Sequence, residues 1–215
     1  QSSLHICVEG ETETHACERL AKASLIGLRH GGEAIPDTIP RVTRSRPFRP
    51  IKALLGPEGE RWLPLHGIFR LSDVTEAYSA LADALAERRE ELASRQITVS
   101  FLTVTSGDTI VIEPHLFWPD GLHQFHRNHV TDEQLRRYGD LPDRPELRAL
   151  AHALRRELGS VLYEAGAEHL QIGRHYPFEQ DMDPVRLKLL LALKHLVDPK
   201  GIMAPDVLFK KMPNK

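Results

Sequence analysis

The sequence predicts an α+β chain: a ferredoxin-like antiparallel sheet with helices packed on one face, and further helices toward the C-terminus. Three observations predict it. Residues 97–105 and 109–114 are β-rich runs joined by Ser106-Gly107-Asp108, which reads as a hairpin. Residues 73–95 and 145–165 repeat apolar side chains at helical spacing. The elements follow one another as β-α-β-α-β-β before the closing helices, an order that suits an antiparallel rather than a parallel sheet.

Taken in order, Leu4-His5-Ile6-Cys7-Val8 reads as a strand ended by Glu9-Gly10. Residues 11–29 follow with Ala16, Leu20, Ala23 and Ile26 or Gly27 on one side, and Gly31-Gly32 closes that helix. Residues 33–59 are a proline- and arginine-rich connection, long enough to be functional or disordered. Residues 61–69 form a second strand, expected at an edge because Pro64 cannot donate to a ladder. Ser72 or Asp73 caps the helix running to Arg95, whose inner face carries Val74, Ala77, Leu81, Leu85 and Leu92. After the hairpin, residues 117–143 are polar and irregular with one short helix. Two helices follow, 145–165 and 184–197. Asp183-Pro184 opens the last, and Asp198-Pro199 ends it because proline disfavours helix in the residue before it.

With 215 residues and 41% hydrophobic content, the chain can bury a core as one domain or as one domain with a small extension. The 28 basic and 30 acidic residues leave a net charge of −2, which gives no case for nucleic acid or an anionic membrane as partner. No apolar run approaches the ~18–20 residues that span a bilayer. Cys7 and Cys17 are too few for a disulfide framework and read as buried or half-buried thiols in a reducing, cytoplasmic setting. The start at Gln1, without Met, points to a piece of a longer chain.

Histidine is frequent, at 12 residues. His66-Gly67 ends a strand at a glycine turn, which presents an imidazole to a cleft or leaves it hydrogen-bonded at the surface. His123, His126 and His129 share a spacing of three and would line one helix face, but no carboxylate or cysteine completes a ligand set, so no metal site is assigned. Glu168-His169-Leu170-Gln171-Ile172-Gly173-Arg174-His175-Tyr176 reads as extended. One side then carries His169, Gln171 and Gly173, and the other Glu168, Leu170, Ile172 and Arg174. His169 or Gln171 suits a substrate oxygen. Arg174 suits a carboxylate or phosphate, or merely pairs with Glu168 at the surface. Arg41, Arg44, Arg46 and Arg49 make a basic loop for an interdomain or phosphate contact, or a solvated run.

The stretch Asp198-Pro199-Lys200-Gly201-Ile202-Met203-Ala204-Pro205-Asp206 resembles the D-P-x-G-I-x-N-P-G tail of FAD-linked oxidases of the vanillyl-alcohol oxidase and p-cresol methylhydroxylase superfamily. Ala204 and Asp206 stand where that family has Asn and Gly. Looser likenesses run in the same order through Arg46-Pro47-Phe48, residues 56–62, Pro64-Leu65-His66-Gly67, residues 112–120 and residues 166–174. The resemblance implies a C-terminal substrate, or cap, domain spanning 1–215, without the FAD-binding domain. It carries no G-x-G-x-x-G loop, and it lacks the H-x-G-D-G-N-x-H motif of metal-dependent relatives. The implied function is oxidation of a hydroxylated carbon, a 2-hydroxy acid or a phenolic or alcohol substrate, by hydride transfer to FAD. The implied site has His66, His169 and Arg174 as catalytic residues. Gln171, His115, Tyr176 and Trp118 contact substrate, and Gly67, Gly201, Met203 and Pro205 contact the cofactor. Trp62, Phe117 and Trp118 nevertheless suit the core or an interface better than stacking on a ring. The phenol-activating Tyr-Arg pair of some relatives is here Leu170-Gln171. Implied partners are the FAD-binding domain of the same parent protein, a small-molecule substrate and a second copy as homodimer. The alternative reading is a ferredoxin-like small-ligand-binding or regulatory domain without catalysis.

Overall fold

The computed structural model describes residues 3–45, 55–169, 171, 173–176, 178–180 and 182–209. Arg46, Pro47, Phe48, Arg49, Leu170 and Ile172 of the sequence reading lie outside the described residues. The chain divides into two compact units, Gln1–Ile51 and Lys52–Lys215.

In the first unit, α1 (Glu13–Arg29) starts at Thr12, whose hydroxyl accepts from the His15 N–H at 3.2 Å. It ends as expected at the glycines. Gly31 has φ +81°, and the N–H groups of Gly31 and Gly32 bond the carbonyls of Leu28 and Gly27. Two expectations fail here. Residues 4–8 form no strand, because among the described residues of this unit no other strand takes up their main-chain groups. Cys7 and Cys17 are accordingly exposed, not buried. The proline-rich connection contains α2 (Thr38–Ser45), steadied by the exposed Asp37–Arg41 pair at 2.8 Å.

The second unit is built on a four-stranded antiparallel sheet: β1 (Arg61–Pro64), β2 (Gly67–Arg70), β3 (Thr98–Ser106) and β4 (Thr109–Trp118). The strand expected over 61–69 is present but interrupted. Both halves keep one register along β4, with Pro64 opposite His115 and Gly67 opposite Ile112. Leu65 and His66 therefore stand opposite Pro114 and Glu113. Leu65 donates to the Pro114 carbonyl at 3.1 Å, but Pro114 has no N–H to return. That missing bond breaks the ladder at His66. Contrary to expectation, Pro114 does not end β4, which continues to Trp118; Pro114 removes a donor only on the β1–β2 side.

Three helices lie against one face. α3 (Val74–Glu87) and α4 (Arg89–Ser94) replace the single helix expected over 73–95, and the bend at Arg88 brings Leu92 into the core. α7 (Pro145–Glu164) buries Leu147, Ala151, Leu154, Leu158 and Leu162 at helical spacing. These pack on Leu65, Phe69, Ile112, Leu116 and Trp118. Each fully buried leucine contributes roughly 1.5–3 kcal/mol. The irregular stretch after β4 holds two helices rather than one, α5 (Gln124–Arg127) and α6 (Asp132–Tyr138).

After α7 the chain turns at Gly166, with φ +83°, and Glu168 pairs with Ile68 on the outer edge of β2 through two main-chain bonds of 2.8 and 3.0 Å. α8 (Pro184–Val197) is capped by Asp183 as predicted. It half-buries Leu187, Leu190 and Leu191 but leaves Val185, Leu189, Leu193 and Leu196 exposed. No described helix is long and apolar enough to cross a membrane.

Candidate active site

The break at His66 positions the site. His66 is only 4% exposed, and both ring nitrogens are engaged. Nε2 accepts the Gln171 main-chain N–H at 3.1 Å, and Nδ1 lies 2.8 Å from the Tyr176 hydroxyl. An Nε2 that accepts leaves the proton on Nδ1, so this assignment makes His66 the donor to Tyr176. Burial, then the neighbouring His169, pushes the His66 pKa below the ordinary histidine value. His66 is thus held neutral with its basic lone pair occupied. A proton taken there would displace the Gln171 N–H, so the geometry argues against His66 as a base.

His169 is its opposite. Its ring centroid lies 6.1 Å from that of His66 and 4.5 Å from that of Tyr176. Both of its ring nitrogens are buried, and neither completes a hydrogen bond. Burial lowers its pKa, while the His66 backbone favours the cation without closing a full bond. Tyr176 lies between the two histidines, 4.5 Å from each ring, and a neutral imidazole held against it with an available lone pair has the chemistry to accept a proton. Tyr176 is kept protonated: burial raises its pKa and outweighs the nearby Arg155 charge.

Among the other expected residues, His115 lies on the sheet face away from the helices, with Trp62 edge-on at 5.2 Å and Glu113 at 3.3 Å from Nε2. Gln171 joins the site through its backbone, its side chain being exposed. Arg174 donates to the Pro205 carbonyl at 2.9 Å, so it ties the tail to this segment. Trp118 is not brought to the site. It lies in the helix-side core, 2% exposed, with Nε1 3.3 Å from Asp120. Gly67 has a packing reason: a Cβ there would stand 2.8 Å from that of Ala167 and 2.9 Å from the Phe69 ring.

The tail is organised by Asp198, which is 2% exposed. Its carboxylate accepts from Lys194 at 2.6 Å and from the Ile202 and Met203 N–H groups at 3.0 Å. Those bonds hold its pKa below the usual range. Gly201 supplies the positive φ of the turn, +63°. Ala204 and Asp206 also lie in the left-handed region, with φ of 45° and 57°. Such a backbone is resisted by residues with a Cβ and suits glycine and asparagine best.

Sequence reasoning missed three residues. Arg155 and Glu113 lie far from His66 in sequence, and no local motif links them to it. Asp120, fully buried, receives both Nε and Nη2 of Arg148 (2.8 and 2.9 Å), the Arg144 N–H (2.8 Å) and Trp118. Burial alone would raise its pKa, but these donors hold it below the ordinary value. The readable signal was a lone Asp between Pro119 and Gly121, ahead of an Arg-rich helix.

No glycine-rich loop opens a described helix, and the pocket between Arg174, Tyr176, Phe178 and Val207 measures about 30 Å³, room for one or two waters. Among the described residues no three His, Cys, Asp or Glu side chains converge as metal ligands. The chain matches no family model, no curated protein and no solved structure.

Proposed function

We propose that this chain is the substrate-side domain of an FAD-linked oxidase or dehydrogenase, roofing a flavin held by another domain of the same parent protein. The observation that carries the reading is the backbone of the tail. At the two positions where the oxidase family has Asn and Gly, Ala204 and Asp206 adopt the left-handed conformation that Asn and Gly prefer. A left-handed backbone at these two positions is what Asn and Gly would favour, which supports the reading, and Arg174 holds the tail beside Tyr176.

Bound FAD would supply a hydride acceptor. In this reading His169 takes the proton from the hydroxyl of a 2-hydroxy acid, alcohol or phenol, which uses the lone pair the fold leaves unengaged. Tyr176 and His66 fix the plane of its ring. Arg174 acts on the tail rather than on the substrate. The exposed side chains of α8 (Val185, Leu189, Leu193, Leu196) and of the tail (Ile202, Met203) are where the FAD-binding domain docks.

The test is the flavin absorbance of the purified parent protein and of residues 1–215 alone. A yellow parent and a colourless, folded fragment are expected. A parent without flavin overturns the proposal.

A further inference from the structure

β3 is a nine-residue strand, Thr-Val-Ser-Phe-Leu-Thr-Val-Thr-Ser, with no charge, proline or glycine. It pairs with β4 along its whole length, and no described strand pairs with its other edge. Thr98, Ser100 and Leu102 to Thr105 are exposed. Edge strands that remain monomeric are usually short, bulged or guarded by lysine or proline, and this one has none of those guards.

The main-chain directions follow from the bonds already described. Pro114 turns its carbonyl to Leu65, so even-numbered residues of β4 serve β1–β2 and odd-numbered ones serve β3. In the β3–β4 register Leu102 opposes Glu113. Even-numbered residues of β3 therefore serve β4, and Val99, Phe101, Thr103 and Thr105 turn their N–H and C=O groups outward.

We propose that this edge pairs with the same edge of a second copy, antiparallel about a two-fold axis at Leu102, joining the two sheets into one. That register places Phe101 opposite Thr103 and Val99 opposite Thr105, which matches outward main-chain groups with outward groups. It also sets Leu102 against its own mate. The ends of the strand decide the direction. Arg95 precedes it and Asp108 follows it; both are exposed, and no ion pair is described for either. Antiparallel pairing brings Arg95-Gln96 of one copy beside Asp108-Thr109 of the other, whereas parallel pairing sets like charge against like. The inference does not rest on the flavin reading.

Strand addition buries little surface, so the dimer should dissociate on the order of 10 µM. Sedimentation velocity of the chain across that range, with circular dichroism as a check on folding, tests it. Thr103→Pro removes an outward N–H that the β3–β4 ladder does not use, and should weaken the dimer at least tenfold or so. Leu102→Lys, which sets two ammonium groups at the axis, should do the same and serves if the proline variant fails to fold. Arg95→Asp should weaken it roughly threefold, and adding Asp108→Lys should restore it. A chain monomeric throughout overturns the proposal. So does a dimer indifferent to Thr103→Pro and Leu102→Lys, or a charge reversal that its partner does not rescue.

Discussion

Asp120 and His169 are both polar groups that the fold takes out of water, and they are treated in opposite ways. Every oxygen of Asp120 is matched: Arg148 covers both, the Arg144 N–H takes one and Trp118 the other. Neither nitrogen of His169 is matched, although the neighbouring His66 has partners for both of its own. A buried group with all its hydrogen bonds made locks the scaffold. One kept without them leaves desolvation uncompensated, a condition that a bound substrate or partner would relieve. The difference marks Asp120 as framework and His169 as the candidate site.

The comparison breaks most visibly at Asp120. Asp120→Ala leaves the Arg144 and Trp118 N–H groups without an acceptor and Arg148 with Asp143 alone, and should cost about 3 kcal/mol in urea unfolding. A loss under about 1 kcal/mol would mean the knot is ornamental.

Acid tests the histidines together. The folded-state pKa values of His66, His126, His152, His169 and His175 all lie below the usual value, in each case through burial first. The unfolded chain therefore binds more protons in that window, and stability is full above about pH 6.5 and falls as pH drops through it. For His126, whose pKa is pushed down to about 4 by burial and by Arg61 and His123, the loss continues toward that pH. Unfolding midpoints that stayed level from pH 7 to about 4.5 would contradict this.

The paired histidines sharpen the contrast. His66→Phe strands the Gln171 N–H and the Tyr176 hydroxyl and should cost about 1–3 kcal/mol. His169→Phe removes no completed hydrogen bond, so its unfolding free energy should change by less than about 1 kcal/mol in either direction. Equal losses at the two positions would abolish the distinction.

The smallest effect belongs to the tail. Ala204→Gly relieves a left-handed φ at 45°, partly offset by the freedom glycine gains on unfolding, for a net gain of about 0.5–1 kcal/mol. Gln96, at φ 58° after α4, offers the same gain. Destabilisation on replacing either would mean that its side chain, not its backbone, holds the turn.

What was legible in the sequence followed local chemistry. α7 declared itself through leucines at helical spacing and Pro145 at its start, and α8 through Asp183-Pro184 and Asp198-Pro199. The turn of the tail was legible because glycine and proline act on their own backbone. The strand expected at 4–8 failed because a strand depends on a partner that its own residues do not specify. The break at His66 was hidden for a similar reason: its cause is Pro114, on the facing strand. In the site, His66, His169 and Tyr176 were each readable as candidates, but not their division of labour. That division depends on a main-chain N–H at Gln171, about a hundred residues from His66 in the chain.

The most direct measurement is the flavin absorption spectrum of the parent protein, wild type against His169→Phe, at matched flavin content. If His169 lies unengaged beneath the redox ring, the bands should shift while the bound flavin and the unfolding midpoint stay unchanged. Superimposable spectra, or a parent that carries no flavin, would contradict the account.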